Sequence, residues 1–134
     1  MIQVVDASAV AAALTERNRL GAWCETRMAE GEIVAPHLMP FEVANVARRH
    51  LRAGLIEPSD VGRALDELRD LPLTLVPFDA VADRVWELRD NLTAYDASYV
   101  AVAEQIDARL ITVDRRLAAA PGPRCEIRVP PDDR

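Results

Sequence analysis

Lysine is absent from this 134-residue sequence, so all 16 of its basic residues are arginine. Phosphoacceptor receiver domains and haloacid-dehalogenase-like phosphatases build their acidic pockets around a lysine, and the absence excludes both. Acidic residues number 22 for a net charge of −6, which argues against a surface that binds phosphates wholesale but leaves room for a local arginine patch. Cysteine is scarce. Cys24 and Cys125 stand far apart without metal-ligand spacing, so they read as buried thiols in a reducing compartment. Of the few aromatics, Trp23 and Trp86 fall on apolar helical stripes and are expected in the core rather than as base-stacking platforms. The two histidines, His37 and His50, pair with no Ser or Cys in a nucleophilic arrangement. No glycine-rich phosphate loop occurs. No apolar run approaches a membrane span, and Met1 leads into a strand-like run rather than an export signal, so a soluble cytoplasmic protein is expected.

What is present alternates between two periods. Half the residues are hydrophobic, enough for one core. The expectation is a single domain over 1–129 with a flexible tail at 130–134. Short β-like runs at 2–5, 33–35, 73–76, 109–113 and 125–129 are separated by helical stretches, which implies an α/β class. Ser8 is placed to cap an alanine-rich helix, and Gly31 to end a second one over 20–30. Val43, Val46, Ala47 and Leu51 recur at helical spacing up to Gly54, and Val61, Leu65 and Leu68 do so after Pro58. Asp79 is expected to cap a helix through Val81, Val85 and Leu88; further helices run from about 95 to 106 and from 114 to 119.

Four acids stand where such an alternation would gather them. Asp6 closes the run Ile2-Gln3-Val4-Val5, and Asp114 follows Leu110-Ile111-Thr112-Val113. In a parallel sheet, ligands bind outside the carboxyl ends of the strands, so an acid just past a strand points into that crevice. Glu42 and Asp96 lie in the first turns of two expected helices. Taken singly, each acid could be a cap or a surface charge, Asp96 especially. Together, crowded carboxylates raise one another's pKa unless a cation takes up the charge, and a hard divalent ion is the natural occupant.

The blocks V-V-D-A-S-A, P-F-E-V-A-N, Y-D-A-S-Y-V-A-V-A-E and L-I-T-V-D-R-R-L resemble PIN-domain ribonucleases, in particular VapC-type toxins of bacterial toxin–antitoxin pairs. The resemblance runs in order over nearly the whole chain. It implies a three-layer α/β/α sandwich around a parallel sheet of about five strands. It also implies one Mg²⁺ or Mn²⁺ site, which Asp6, Glu42, Asp96 and Asp114 match one for one. Asp6, Asp96 and Asp114 are then the expected ligands, with Glu42 acting through a water. The implied reaction is metal-dependent hydrolysis of RNA phosphodiester bonds; the implied partners are a second copy of the chain and a VapB-like antitoxin. The alternative is a PIN-like module that binds RNA or protein without cleaving.

Phosphodiester hydrolysis itself asks for such a site, because a bound divalent metal both lowers the pKa of a water and acts as a Lewis acid. Where haloacid dehalogenases carry a second Asp two residues after the first, this chain has Ser8, whose hydroxyl could bond an acid or a phosphate. Thr112 shares a strand face with Asp114, and Asn45 shares a helical face with Glu42, so each could hold its carboxylate. Among the arginines that follow the acids, Arg115 is the favoured contact to the RNA backbone.

Overall fold

The structure is a computed structural model describing residues 1–132. The apolar N-terminal run forms β1 (Ile2–Val5), followed by α1 (Ala7–Thr15), α2 (Arg19–Met28) and β2 (Glu32–Pro36). Next come α3 (Met39–Arg52), α4 (Pro58–Asp70), β3 (Leu73–Val76), a 3-10 turn (Phe78–Ala80) and α5 (Ala82–Glu87). The chain closes with α6 (Ala94–Gln105), β4 (Leu110–Ile111), α7 (Arg115–Ala119) and β5 (Ile127–Arg128). The strands form one all-parallel sheet in the order β3-β2-β1-β4-β5.

That order positions the site. The chain steps outward from β1 to β2 to β3 through helices that pack on one another, α1 through α4. It then returns over the other face, where α6 lies against β1, β2 and β4 with α5 beside it, and lays β4 next to β1. The result is a three-layer α/β/α sandwich whose strand order reverses at the β1–β4 seam, the point where a crevice opens at the carboxyl ends. Val4 pairs with Leu110 and Val5 with Ile111. The Asp6 N–H donates to the Ile111 carbonyl at 3.0 Å, so Asp6 and Thr112 leave the sheet side by side.

Small side chains let the layers close. Ala7, Ala9, Ala11 and Ala12 of α1 and Ala97, Ala101 and Ala103 of α6 are all buried, joined by Val10, Val100, Val102 and the inner strand residues Val4, Val5, Leu110 and Ile111. Both faces of the central strands are covered, which is why those runs read as continuously apolar.

Several local expectations are corrected. Asp6, not Ser8, caps α1, accepting from the Ala9 N–H at 3.1 Å. Asp79 caps nothing; it sits in the 3-10 turn, and Val81 precedes α5 without a side-chain cap. Strands β4 and β5 are two residues each, although backbone bonds from the Leu110 and Thr112 N–H groups to the Glu126 and Arg128 carbonyls extend their pairing. Trp86 is 68% exposed with the Arg89 guanidinium 4.7 Å from its ring centre, because the inward stripe of α5 runs through Val81, Val85 and Leu88 and leaves position 86 facing out. Trp23 does pack against the core, half-buried. Cys24 is buried and Cys125 half-buried, both as free thiols, and burial pushes them up to about 12 and about 11. Within the expected tail, the Pro130 carbonyl accepts a hydrogen bond from Arg115; residues 133 and 134 lie outside the described residues. Among the described residues no helix is long and apolar enough to cross a membrane.

Candidate active site

Asp6 forms the floor of the crevice. It is 6% exposed, and three donors hold its carboxylate: Ser8 Oγ at 2.6 Å and the Ala9 N–H on Oδ1, and Thr112 Oγ1 at 2.5 Å on Oδ2. Thr112 Oγ1 accepts from the Asp114 N–H at 3.0 Å, which leaves its own hydrogen for Asp6. Ser8 Oγ likewise accepts from the Val113 N–H at 3.4 Å. The two hydroxyls thus tie the end of β1 to the loop after β4. Burial pushes the Asp6 carboxyl up to about 6; the three hydrogen bonds oppose the rise and the nearby charge of Asp96 adds to it.

Glu42 stands in the first turn of α3, half-buried, and Tyr99 Oη donates to its Oε1 at 2.6 Å. Burial raises its pKa, the Tyr99 bond and Arg49 pull it down, and Asp96 pushes it up. Asp96 is in the first turn of α6 but is not the cap: Thr93 is, accepting from the Asp96 N–H at 3.2 Å. Burial and then the charge of Asp114 raise the Asp96 carboxyl, against Arg116 and Thr93. Asp114 caps α7 through the Arg116 N–H at 3.0 Å, and the Arg116 side chain pairs with it at 3.2 Å. Burial alone would raise Asp114, but the bonds and charge of Arg116 outweigh it and the pKa falls.

All four acids line one cleft of about 180 Å³, together with Ser8, Asn45, Arg49 and Tyr99. A larger cavity, about 880 Å³, lies elsewhere against Leu14, Met28 and Leu71, and none of the four acids lines it; convergent chemistry, not size, marks the site. Among the described residues no three His, Cys, Asp or Glu side chains close up as a compact ligand group. The acids form a cleft rather than a cage. Ser8 and Thr112 touch Asp6, and Asn45 lines the cleft without a hydrogen bond to Glu42. Arg115 is not brought in: it lines a separate cavity beside Trp23 and donates to Pro130. Sequence reasoning missed Tyr99, although it follows Asp96 at i+3 on the same helical face; Arg49 and Arg116 were within its arginine group, but it favoured Arg115 over Arg49 and did not foresee the pairing of Arg116 with Asp114.

The PIN domain model matches residues 4–123 of this sequence. The chain belongs to the PIN domain family. Among curated PIN relatives, Ribonuclease VapC9 of Mycobacterium tuberculosis is 39% identical over 128 residues, covering 96% of this chain and 98% of the relative. Among solved structures, PAE2754 from Pyrobaculum aerophilum superposes with a TM-score of 0.65 at 28% identity, over 95% of this chain and 83% of that one. VapBC2 from Rickettsia felis, bound to a DNA fragment from its promoter, matches at a TM-score of 0.65 over 96% of this chain and 98% of that one; at 13% identity the likeness concerns the PIN fold alone.

The donor set of this PIN cleft suits a hard divalent cation. It offers carboxylate oxygens, with neither sulfur nor imidazole among its lining residues. Asp6 and Asp96 carry raised pKa values partly because they repel other carboxylates, and a cation would relieve both. An open cleft, with Glu42 and Asp114 engaged by Tyr99 and Arg116, fits an ion that keeps several of its own waters better than one enclosed by protein.

Proposed function

We propose that this chain is a VapC-type endoribonuclease that hydrolyses RNA phosphodiester bonds with Mg²⁺ or Mn²⁺ and is neutralised by a VapB-like antitoxin. The observation that carries the reading is the convergence of Asp6, Glu42, Asp96 and Asp114 on one cleft at the switch point of the sheet. Its 39% identity over nearly the full length of a VapC ribonuclease supports it. Asp6, Asp96 and Asp114 would hold the cation, with Glu42 reaching it through a water. A metal so bound supplies a water of lowered pKa and Lewis acidity at a phosphate oxygen. Ser8 and Thr112 keep the Asp6 carboxylate ionised and aimed, since their hydrogen bonds favour its charged form. Glu42 orients the attacking water and accepts its hydrogen bond. Arg49, at the edge of the cleft, is placed to contact the phosphodiester backbone, as is Asn45. Such an enzyme acts in the cytoplasm, where its RNA is.

The test is cleavage of RNA by the purified protein. Cleavage should stop with EDTA and return with Mg²⁺ or Mn²⁺; binding of RNA without cleavage would overturn the reading.

Two partners belong to the proposal. An acidic cleft should attract a basic side chain from the antitoxin, and Arg can bond a carboxylate bidentately. A complex with the cleft open to solvent would count against this. A homodimer is proposed through α3 and the turn after it, on a basis that keeps only Leu51 of the stripe read in the sequence. Val43 is buried in the protomer's own core and Val46 and Leu65 pack against it, so what remains for a second copy is Phe41, Leu51 and Leu55, exposed by 79%, 37% and 69%. Light scattering should give about twice 14.8 kDa.

A further inference from the structure

We propose that Tyr99 is a positioning residue for the nuclease site: its buried hydroxyl pins Oε1 of Glu42 and leaves Oε2 as the oxygen through which Glu42 meets water. The inference rests on the nuclease reading above. Tyr99 follows Asp96 by three on α6, so one helical face carries an acid of the cleft and the phenol beside it. The side chain is 2% exposed, and a buried hydroxyl needs a partner. It finds that partner in a carboxylate of a different helix, 57 residues away in sequence, at 2.6 Å.

The direction of the bond is fixed. A carboxylate has no hydrogen to give, so the single hydroxyl hydrogen of Tyr99 goes to Glu42. Burial, the bond to Glu42 and the charges of Glu42 and Asp6 hold the phenol far above its ordinary pKa, and it donates without ionising. One hydroxyl thereby ties α6 to the first turn of α3. Glu42 needs this more than the other acids do. Asp6 and Asp114 are short and fixed by caps, whereas a glutamate has more rotamers to lose, and Tyr99 is its only hydrogen-bond donor among the described residues.

The experiment compares Tyr99→Phe, Glu42→Gln and the double variant in the full-length protein. Tyr99→Phe should lower kcat about ten- to hundredfold, the usual effect of removing a partner that orients a metal-site group, with KM for RNA within about twofold. Mn²⁺ binding to the metal-free protein, followed by electron paramagnetic resonance, should weaken about tenfold in the native background and not at all beside Glu42→Gln. Equal losses in both backgrounds would assign Tyr99 to packing and overturn the proposal. So would a Tyr99→Phe protein with native kcat and Mn²⁺ affinity, or one that fails to fold. A native protein that neither cleaves RNA nor binds Mn²⁺ would instead remove the nuclease reading itself, and the proposal with it.

Discussion

Asp6 and Asp114 leave neighbouring strands at the same end of the sheet, yet their charges meet opposite surroundings. At the floor, Asp6 is buried among two hydroxyls and an N–H, with no cation in contact, and its carboxyl is pushed up to about 6. At the rim, Asp114 is paired with the exposed Arg116, and its carboxyl is held below the ordinary range. Hydrogen bonds fix a carboxylate's direction without cancelling its charge; an ion pair cancels the charge and occupies the oxygens. The floor is therefore aimed and short of positive charge, while the rim is neutralised by its own chain.

Substitutions should separate the two regions, beginning with the largest effect. Asp6→Asn and Asp96→Asn should each reduce ribonuclease activity by about a hundredfold or more, a loss of at least roughly 2.7 kcal/mol in transition-state stabilisation. Without metal, Asp96→Asn should melt at the native temperature or above, because a repelled carboxylate has been removed. Asp114→Asn should melt slightly lower, because the carboxylate it removes is a stabilised one. Cleavage rates and scanning calorimetry on the same preparations test both; full activity in Asp96→Asn, or an unfolded protein, removes that residue from the metal site.

A smaller effect concerns pH. The folded-state pKa of Asp6 lies above its ordinary value of 3.8, so the stability linked to it is fully present below 3.8 and is lost as pH rises through about 6. A bound cation prefers the ionised form. The rise in melting temperature on adding Mn²⁺ should therefore grow between pH 5 and pH 7.5, and a rise independent of pH would place the cation away from the floor.

Arg116→Ala should give the smallest change. It removes a competitor for Asp114, so Mn²⁺ should bind more tightly, by less than about fivefold given how little an exposed pair contributes. Weaker binding would mean that Arg116 supports the site rather than guarding it.

The layout was largely legible because both signals it rests on are local. Short apolar runs became β1, β2 and β3, helical stripes became α3 and α4, and an acid after a strand is meaningful once the sheet is parallel. What escaped depended on contacts distant in sequence or on a choice between adjacent residues. Asp6 and Ser8 are both competent caps, and only the direction of the chain leaving β1 decides for Asp6. Trp86 groups with apolar neighbours in the sequence, although the turn of the helix separates it from Val85. Tyr99 read as one more apolar residue in a helix buried on most sides; its bond to Glu42 exists only because α3 and α6, on opposite faces of the sheet, meet at its carboxyl edge. The capture of Arg115 by Pro130 is equally tertiary.

The position of β4 in the sheet has a consequence for biosynthesis. This strand is the fourth to be made but lies inside the sheet, between β1 and β5, and the loop beyond it carries Thr112 and Asp114. A nascent chain that has released everything through α6 from the ribosome still lacks the strand against which Asp6 is set, and Asp6 has neither its Thr112 bond nor its Asp114 neighbour. The carboxylates come together only when β4 and the loop beyond it have docked, so no part of the chain through α6 can hold the complete cleft by itself.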